Sequence, residues 1–270
     1  WIDGKRGSPQ QPNLPKRGRR PISIGENSYF TCRSLAHGLY IHRSEALEVI
    51  QDAEIENWIQ RTVGDEEMAK SFVDVLSNIR FDVSDPNAAD LTVSLISSSL
   101  DPEGPIRYKE FRAMPEGLGS YLAYLYSEPS GAQLFADTIF ADITILVIES
   151  QFGAGGASLG MTKAIEHIRS TLKQTDFGGG IERCLYDMNP AMPCLSPLLK
   201  DYFVMDDEDI LPAMEQVAAK SPETLPMDRH IAAFISARFK KDTNNLMKGL
   251  GNRDLPALVV LSLLRIYSII

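Results

Sequence analysis

The feature of this sequence that most restricts its fold is the helical spacing of its apolar residues, which prolines interrupt at intervals. Between Tyr29 and Val63 the apolar side chains recur every three or four residues, the period of one face of an α-helix. These side chains belong to Leu35, Leu39, Leu47, Ile50, Ile55, Trp58 and Ile59. The stretch therefore predicts two or three short packed helices, with Trp58 anchoring the packing between the second and the third.

Residues that can cap helices occur where these helices are expected to begin. Thr31 or Ser34 is predicted to cap the first helix, Ser44 the second and Asp52 the third. A side-chain oxygen at such a position accepts a hydrogen bond from an unpaired N–H of the first helical turn. The caps thus place three helix starts within this stretch.

The helical pattern continues along the rest of the chain. Further helices are predicted at 65–79, 86–100, 161–172, 181–188, 207–219, 226–239 and 255–269, and another opens at Pro115. A strand is an alternative at 90–96 and at 143–148, and 106–114 is expected to be a linking segment.

The most apolar stretch, 134–152, is about as long as a membrane span. Asp137 and Asp142 interrupt it, and two carboxylates inside a bilayer are costly. We therefore expect a buried central helix, with both acids on its less buried side.

Two similar hexapeptides indicate an internal repeat. LDPEGP at 100–105 and MNPAMP at 188–193 each follow a helix and precede an irregular segment and a further helix. Such an echo is typical of degenerate helical repeats, in which each helical hairpin buries its apolar face against its neighbours. The predicted fold is all-α, with about ten helices in an irregular, repeat-like array of helical hairpins.

The first 23 residues are predicted to be a basic, proline-rich linker or tail. Residues 24–270 are predicted to form a single helical domain, with a subdivision near 153–160 as an alternative. A solvated linker is the favoured interpretation of the first segment, because its prolines disfavour helix. In the alternative, Arg17, Arg19 and Arg20 belong to a basic arm that contacts nucleic acid, anionic lipid or an acidic partner.

Composition and charge narrow the classes of function. The formal net charge of −9 argues against a general nucleic-acid binder, which would normally have a basic face. Cys32, Cys184 and Cys194 are odd in number and far apart, which indicates free, buried thiols and a reducing compartment such as the cytoplasm. No secretory signal is visible at the start, and both ends are expected to be cuts in a longer protein.

The glycine-rich stretch GAGGASLG is one candidate for chemistry. Gly153, Gly155, Gly156 and Gly160 resemble a phosphate cradle, since glycines let backbone N–H groups approach an anion before a helix. The Gly-Lys-Ser/Thr ending of a P-loop is missing, so the favoured interpretation is a flexible connection between helices.

The triplet Asp228, Arg229 and His230 is the other candidate, and it suggests a catalytic site. The favoured interpretation is a capping Asp followed by a polar first turn. His37 and His42 are five residues apart, which does not match a helical zinc pair, so no metal site is predicted. The acidic run 206–209 is interpreted as a helix start.

One stretch resembles a known class of segment. The pattern RPISIG-x3-YF-x3-SLAHGL-x5-EALEVIQDAEIENWIQR, from Arg20 to Arg61, resembles helical segments that follow kinase-like or chaperone-like domains in some bacterial multidomain proteins. The tryptophan usual near the start of the second helix is replaced by His42-Arg43, and the chain contains no kinase motif. The resemblance implies an accessory helical region of a larger signalling or stress protein.

Taken together, these features favour a non-enzymatic protein-interaction or regulatory module of a larger bacterial cytoplasmic protein. We expect a protein partner, with no cofactor, no specific nucleic acid and no membrane association. One alternative is a hydrolase or transferase whose site joins the Gly153–Gly160 loop to Asp228 and His230, which requires the two regions to meet in space. A further alternative is a membrane-associated domain with an apolar C-terminal helix.

Overall fold

The computed structural model describes residues 16–78, 86–152, 156–221, 227–239, 243–250, 262–263 and 265–268. These residues are mostly helical, which confirms the broad all-α class. They form more helices than the ten or so that were predicted, together with two small antiparallel sheets that were not.

The helices are α1 (Cys32–Ile41), α2 (Arg43–Gln51), α3 (Glu54–Trp58), α4 (Glu66–Asn78), α5 (Pro86–Leu100), α6 (Leu118–Tyr126), α7 (Gly131–Phe140), α8 (Ile143–Phe152), α9 (Gly156–Leu172), α10 (Gly180–Met188), α11 (Asp207–Lys220), α12 (Arg229–Arg238) and α13 (Asn244–Leu250). The strands are β1 (Ile22–Ile24), β2 (Asn27–Tyr29), β3 (Ile106–Tyr108) and β4 (Phe111–Ala113). Single turns of π-helix and 3₁₀-helix occupy Ile59–Val63, Pro115–Gly117 and Pro197–Leu199.

The chain divides into two compact units. The first consists of Trp1–Arg112 and Leu146–Gly153, and the second of Ala113–Ile145 and Ala154–Ile270. The first has an apolar core around Leu35 and Phe72, and the second has a separate core around Tyr186 and Phe234. The single helical domain that the sequence predicted therefore contains two units.

The start of α1 agrees with the sequence analysis, but those of α2 and α3 do not. Thr31 caps α1, because its hydroxyl oxygen accepts a hydrogen bond from the backbone N–H of Ser34. The hydroxyl oxygen of Ser34 in turn accepts one from the backbone N–H of Thr31. Ser44 lies inside α2, which begins directly after α1 and has His42 at its cap position. Asp52 ends α2, and α3 begins after Ala53 in a left-handed conformation, so the predicted caps Ser44 and Asp52 were wrong.

Trp58 is buried, as predicted, but part of its packing was not foreseen. Its indole N–H donates a hydrogen bond to the carbonyl oxygen of Arg20 at 2.8 Å. The indole ring also lies so close to Gly18 that a Cβ there would be 3.0 Å from Trp58 Cζ2. Trp58 therefore holds the segment that precedes β1.

Each of the two sheets is a tight hairpin that the sequence analysis missed. In the first, β1 and β2 pair antiparallel, with Ile22 opposite Tyr29. The turns of the two hairpins contain Gly25 and Lys109 at equivalent places, and both residues have a positive φ, of 55° and 51°. The segment 106–114, which was predicted to be a link, contains β3 and β4.

The segment 90–96 is helical, so the strand alternative was wrong there. Most Ser and Thr residues of α5 fit inside the helix because their hydroxyl groups donate hydrogen bonds to backbone carbonyls one turn earlier. Thr92 donates to the carbonyl of Ala88 and Ser94 to that of Asp90, each at 2.8 Å.

The apolar stretch 134–152 is broken into α7 and α8, so the single central helix was wrong, as was the strand alternative at 143–148. Ala141 has an extended backbone that ends α7. The guanidinium group of Arg169 donates hydrogen bonds to the carbonyls of Ile139 and Ala141 at 2.7 and 2.9 Å. These bonds give partners to carbonyl groups that the end of α7 leaves without one. Asp137 and Asp142 are not buried, as predicted.

Within the described ranges no single helix has the length and apolar character needed to cross a membrane. The pair Gly131–Phe140 and Ile143–Glu149 reaches that length and composition jointly, with a bend of 61° between its members. Most of the predicted C-terminal helix, at 255–269, lies outside the described residues.

The same order of elements occurs twice along the chain. A hairpin of two strands is followed by five helices, first as β1, β2 and α1–α5, then as β3, β4 and α6–α10. In the first run α5 packs against α1 and α4, and in the second α10 packs against α6 and α9. A proline precedes each hairpin, at Pro21 and Pro105.

A third segment resembles the start of these runs. After Pro193, the N–H of Cys194 donates to the carbonyl of Val204 at 2.8 Å, and α11 follows. Cys194 and Ser196 are buried on either side of exposed Leu195, as in β1.

Candidate interaction surface

Asp228 is the N-cap of α12, as the favoured interpretation of the triplet predicted. Its Oδ1 accepts a hydrogen bond from the backbone N–H of Ile231 at 2.9 Å, and its Oδ2 accepts one from the hydroxyl of Ser196 at 2.5 Å. Arg229 lies beside Glu182 of α10, with Nε and Oε2 3.8 Å apart. Both Asp228 and Arg229 are thus engaged with neighbouring elements of the second unit.

His230 lies between two tyrosine hydroxyls. Its Nδ1 is 2.9 Å from the hydroxyl of Tyr186, and its Nε2 is 3.2 Å from that of Tyr126. The hydroxyl of Tyr126 also donates to Glu182 Oε1 at 3.4 Å, and that of Tyr186 accepts from the N–H of Leu195 at 2.8 Å. Both ring nitrogens therefore take part in a network that links α6, α10, α12 and the segment after Pro193.

Burial sets the proton affinities in this network. It lowers the pKa of His230, and the nearby carboxylates of Asp228 and Glu182 oppose that shift. Burial, together with Glu182, raises the pKa of Tyr126 to about 12. Burial also raises the pKa of Tyr186. His230, Tyr126 and Tyr186 are therefore neutral at physiological pH, and together they join four elements of the fold.

The glycine-rich stretch is described only in part. Gly153 and Gly155 lie outside the described residues, while α9 begins at Gly156, five residues before the predicted start. Gly160 lies within α9, and a Cβ added to it would meet nothing within 4 Å. The partners found for His230 come from α6 and α10, and the hydrogen bonds and ion pairs found for the triplet among the described residues do not involve 156–160.

The segment that carries Arg17, Arg19 and Arg20 is held on the first unit by its backbone. The N–H of Gly18 donates to the carbonyl of Phe30 at 2.7 Å, and that of Arg19 to the carbonyl of Thr62 at 3.2 Å. The guanidinium group of Arg17 lies over the Phe30 ring, 4.5 Å from its centroid. Residues 16–23 therefore pack on the first unit, and the rest of the predicted linker, 1–15, lies outside the described residues.

The three cysteines are free and buried, as predicted. Burial raises the pKa of Cys32 and of Cys194 to about 11, and that of Cys184 to about 12. Among the described residues, no group of three or more Cys, His, Asp or Glu side chains is arranged to hold a metal ion.

A cavity of about 410 Å³ in the first unit lies next to a cluster of ion pairs. Asp101 is buried, and it accepts hydrogen bonds from Arg107 at 2.7 Å and from Arg33 at 2.9 Å. Arg33 also binds Glu103, and Lys16 pairs with Asp65 at 3.2 Å. The charged side chains that line this cavity thus pair with one another.

The second unit carries a group of exposed apolar side chains. The side chain of Phe203 is 91% exposed, and Leu195 and Met205 nearby are 42% and 43% exposed. Cys194 and Val204, which are joined through the backbone, are buried next to them. We call Leu195, Phe203 and Met205, with the groove that Phe203 borders, the Phe203 surface.

The groove of this surface has a volume of about 410 Å³ and is lined by both apolar and acidic residues. Its apolar residues are Tyr202, Phe203, Val204, Pro212 and Ala213. Its acidic residues are Asp201, Glu208 and Asp209. The backbone N–H of Met205 donates to Asp209 Oδ2 at 2.9 Å, which fixes one carboxylate at the edge of the groove.

The Phe203 surface was not predicted from the sequence. The run DYFVMDDED contains apolar residues that pattern alone assigns to a core, and its acids were interpreted only as a helix start. That interpretation is confirmed for Asp206, which caps α11. The sequence pattern that could have indicated this surface is an aromatic residue and a methionine, Phe203 and Met205, which have acidic residues on both sides and no helical spacing.

Comparison with known proteins gives no relative from which a function can be transferred. No protein-family model, no curated protein and no solved structure matches this chain.

Proposed function

We propose that this chain is a non-enzymatic protein-interaction module, part of a larger cytoplasmic protein, and that it binds its partner through the Phe203 surface. The observation that carries the proposal is the 91% exposure of Phe203 beside exposed Leu195 and Met205. Grouped exposed apolar side chains are typical of protein-binding sites.

The energetics of burial support this function. Covering a fully exposed Phe side chain contributes about 1.5–3 kcal/mol. Aromatic residues in the middle of an interface often supply most of its binding energy. Phe203 directly precedes Val204, whose carbonyl accepts the N–H of Cys194, and Asp206 caps α11 three residues later, so two ordered elements fix the backbone at Phe203. An anchor whose backbone is already ordered loses less conformational entropy when it binds.

The repeated order of elements also supports an interaction role. We propose that the two runs of a hairpin and five helices, with the segment after Pro193, are copies of one degenerate unit. The prolines Pro21, Pro105 and Pro193 then mark equivalent positions. Repeat proteins commonly bind partners through the surface of the array, and insertions within single copies often form loops on the binding face.

In this proposal the third copy has diverged for binding. Two residues connect the strands in each of the first two hairpins, whereas the corresponding connection between Cys194 and Val204 is longer and includes a 3₁₀ turn. Phe203 lies at the end of this longer connection. Loops that extend from a rigid scaffold are frequent sites of function.

Site-specific photo-crosslinking tests this function. A benzoylphenylalanine placed at Phe203 is expected to crosslink a defined protein in cells that produce the chain, and the purified partner should then bind the wild-type protein at a fixed ratio. Tyr124, an exposed aromatic of α6 in the same unit, is the matched control position. Equal crosslinking at both positions, or an identified protein that binds Phe203→Ser as well as wild type, would refute the proposal.

A further inference from the structure

We infer that the Phe203 surface accepts a basic peptide segment of the partner, one apolar side chain of which enters the groove while flanking Lys or Arg residues face its carboxylates. This inference rests on the proposed function and specifies the chemistry of the partner.

The shape and lining of the groove give the first argument. It offers about 410 Å³, and its lining includes the exposed Phe203, the buried Val204, and Pro212 and Ala213 of α11. An apolar side chain placed there contacts carbon atoms on several sides. The groove is open to solvent and not an enclosed cavity, which suits a peptide segment more than a small molecule that must be surrounded.

Charge gives the second argument. Asp201, Glu208 and Asp209 line the groove, and Asp206 lies next to them at the cap of α11. Across the described ranges no Lys, Arg or His forms an ion pair with any of these four carboxylates, in contrast to Asp101 in the first unit. This rim therefore attracts a partner with positive charge and repels an acidic one.

One cation near this rim, Lys220, contacts an aromatic wall of the groove. Lys220 at the end of α11 donates to the hydroxyl of Tyr202 at 2.9 Å, and its ammonium group lies 5.1 Å from the centre of the Tyr202 ring. This contact fixes Tyr202 as a wall of the groove. Lys220 also attracts Asp201 electrostatically, which leaves Asp206, Glu208 and Asp209 to an incoming cation. Two of these acids are held rigidly, because Asp206 accepts the N–H groups of Glu208 and Asp209, and Asp209 accepts that of Met205.

Fluorescence anisotropy with labelled peptides tests the inference on the full chain. The probe is Lys-Arg-Leu-Phe-Lys-Arg, with Glu-Glu-Leu-Phe-Glu-Glu and Lys-Arg-Gly-Ser-Lys-Arg as comparison peptides. We expect the first peptide to bind at least about tenfold more tightly than either comparison peptide, since it alone has both the charge and the apolar group. Its affinity should fall as salt rises, because the carboxylates are exposed.

Variants separate the apolar part of the site from the charged part. Phe203→Ser removes the anchor, and Asp201→Asn with Glu208→Gln removes two charges while keeping the capping acids. Each change is expected to weaken binding of the basic apolar peptide about tenfold or more. The matched controls Tyr124→Ser and Glu128→Gln alter an exposed aromatic and an exposed acid of the same unit, and should leave binding unchanged.

The outcomes distinguish this inference from the function on which it rests. If the acidic peptide binds as tightly as the basic one, or if Asp201→Asn with Glu208→Gln binds the basic peptide as tightly as wild type, the inference of a basic partner is wrong. The crosslinking result at Phe203 would still stand. Full binding by Phe203→Ser would overturn both, since attraction would then be to charge alone. If sedimentation shows that the chain self-associates through Phe203 and the basic peptide does not compete, a second copy is the occupant and the inference is wrong.

Discussion

The hydroxyl of Ser196 donates a hydrogen bond to the Asp228 carboxylate at 2.5 Å, and this bond joins the segment after Pro193 to the start of α12. Ser196 is 2% exposed, and the other carboxylate oxygen of Asp228 caps α12. Asp228 therefore has a structural role that links two elements of the second unit.

Replacing Asp228 should affect stability in a graded way. We expect Asp228→Ala to lower the free energy of unfolding by about 1–3 kcal/mol, because the cap is lost and the buried hydroxyl of Ser196 loses its acceptor. Asp228→Asn retains an oxygen that can cap, so its cost should be smaller. Urea unfolding measures both. Equal stability of Asp228→Ala and wild type would show that the cap contributes nothing, and would return the triplet to consideration as a catalytic group.

Substitutions of two glycines should change stability in opposite directions. One tests the packing of Gly18 against Trp58, and the other tests whether Gly160 lies inside a helix. A Cβ on Gly18 would be 3.0 Å from both Trp58 Cζ2 and the carbonyl oxygen of Arg20, so Gly18→Ala should destabilise the protein by about 1–3 kcal/mol. Gly160 lies in α9 with open space around its Cα, so Gly160→Ala should stabilise by about 0.5–1 kcal/mol. Thermal unfolding of both variants checks the two signs. If Gly18→Ala unfolds like wild type, the segment 16–20 is not held against Trp58.

Much of the helical structure was predictable because it depends on local patterns. The apolar stripe of α4, the proline that opens α5 and the box of Thr31 and Ser34 all act within a few residues of sequence. Asp228 was correctly assigned to a cap for the same reason.

The features that were missed depend on partners far apart in sequence. Strands of three residues are too short to establish a period, so β1–β4 leave almost no trace in the pattern. The break between α7 and α8 is stabilised by Arg169, which lies 28–30 residues away from the carbonyls that it binds. The exposure of Phe203 is equally non-local, because a local pattern cannot tell which apolar residues remain uncovered.

Asp101 is expected to be the most sensitive acid of the first unit. It accepts a hydrogen bond from Nη2 of the buried Arg107, whose Nε and Nη1 have no hydrogen-bond partner among the described residues, and it also binds Arg33. Asp101→Asn removes the balancing charge and should cost about 3 kcal/mol of unfolding free energy. Glu103→Gln is the control, because Glu103 binds Arg33 at the exposed surface and its loss should cost less than about 0.5 kcal/mol. If the two variants lose similar amounts of unfolding free energy, the burial of Asp101 does not determine its contribution to stability.

The cysteines should be unreactive in the folded protein. The pKa of Cys194 is raised to about 11 by burial, so at pH 8 almost none of its thiol is the reactive thiolate, and the side chain is also covered. We expect slow modification of all three thiols by a disulfide reagent in native buffer and complete modification in denaturant. Rapid reaction of any one thiol in the native protein would show that its segment opens readily.

His230 should make the stability of the second unit depend on pH. Burial lowers its pKa in the folded state below the usual value of 6.5, so the unfolded chain binds the proton more tightly. Stability is then fully present above about pH 6.5 and decreases as the pH falls from there toward the folded pKa. Tyr126 and Tyr186 remain neutral over this range because their pKa values are raised, and Asp228 and Glu182 only reduce the effect. His230→Gln should therefore flatten the curve of unfolding free energy between pH 7 and 5, whereas His167→Gln, at an exposed site of α9, should retain the slope of wild type. A slope that survives in His230→Gln would assign the pH dependence to another group.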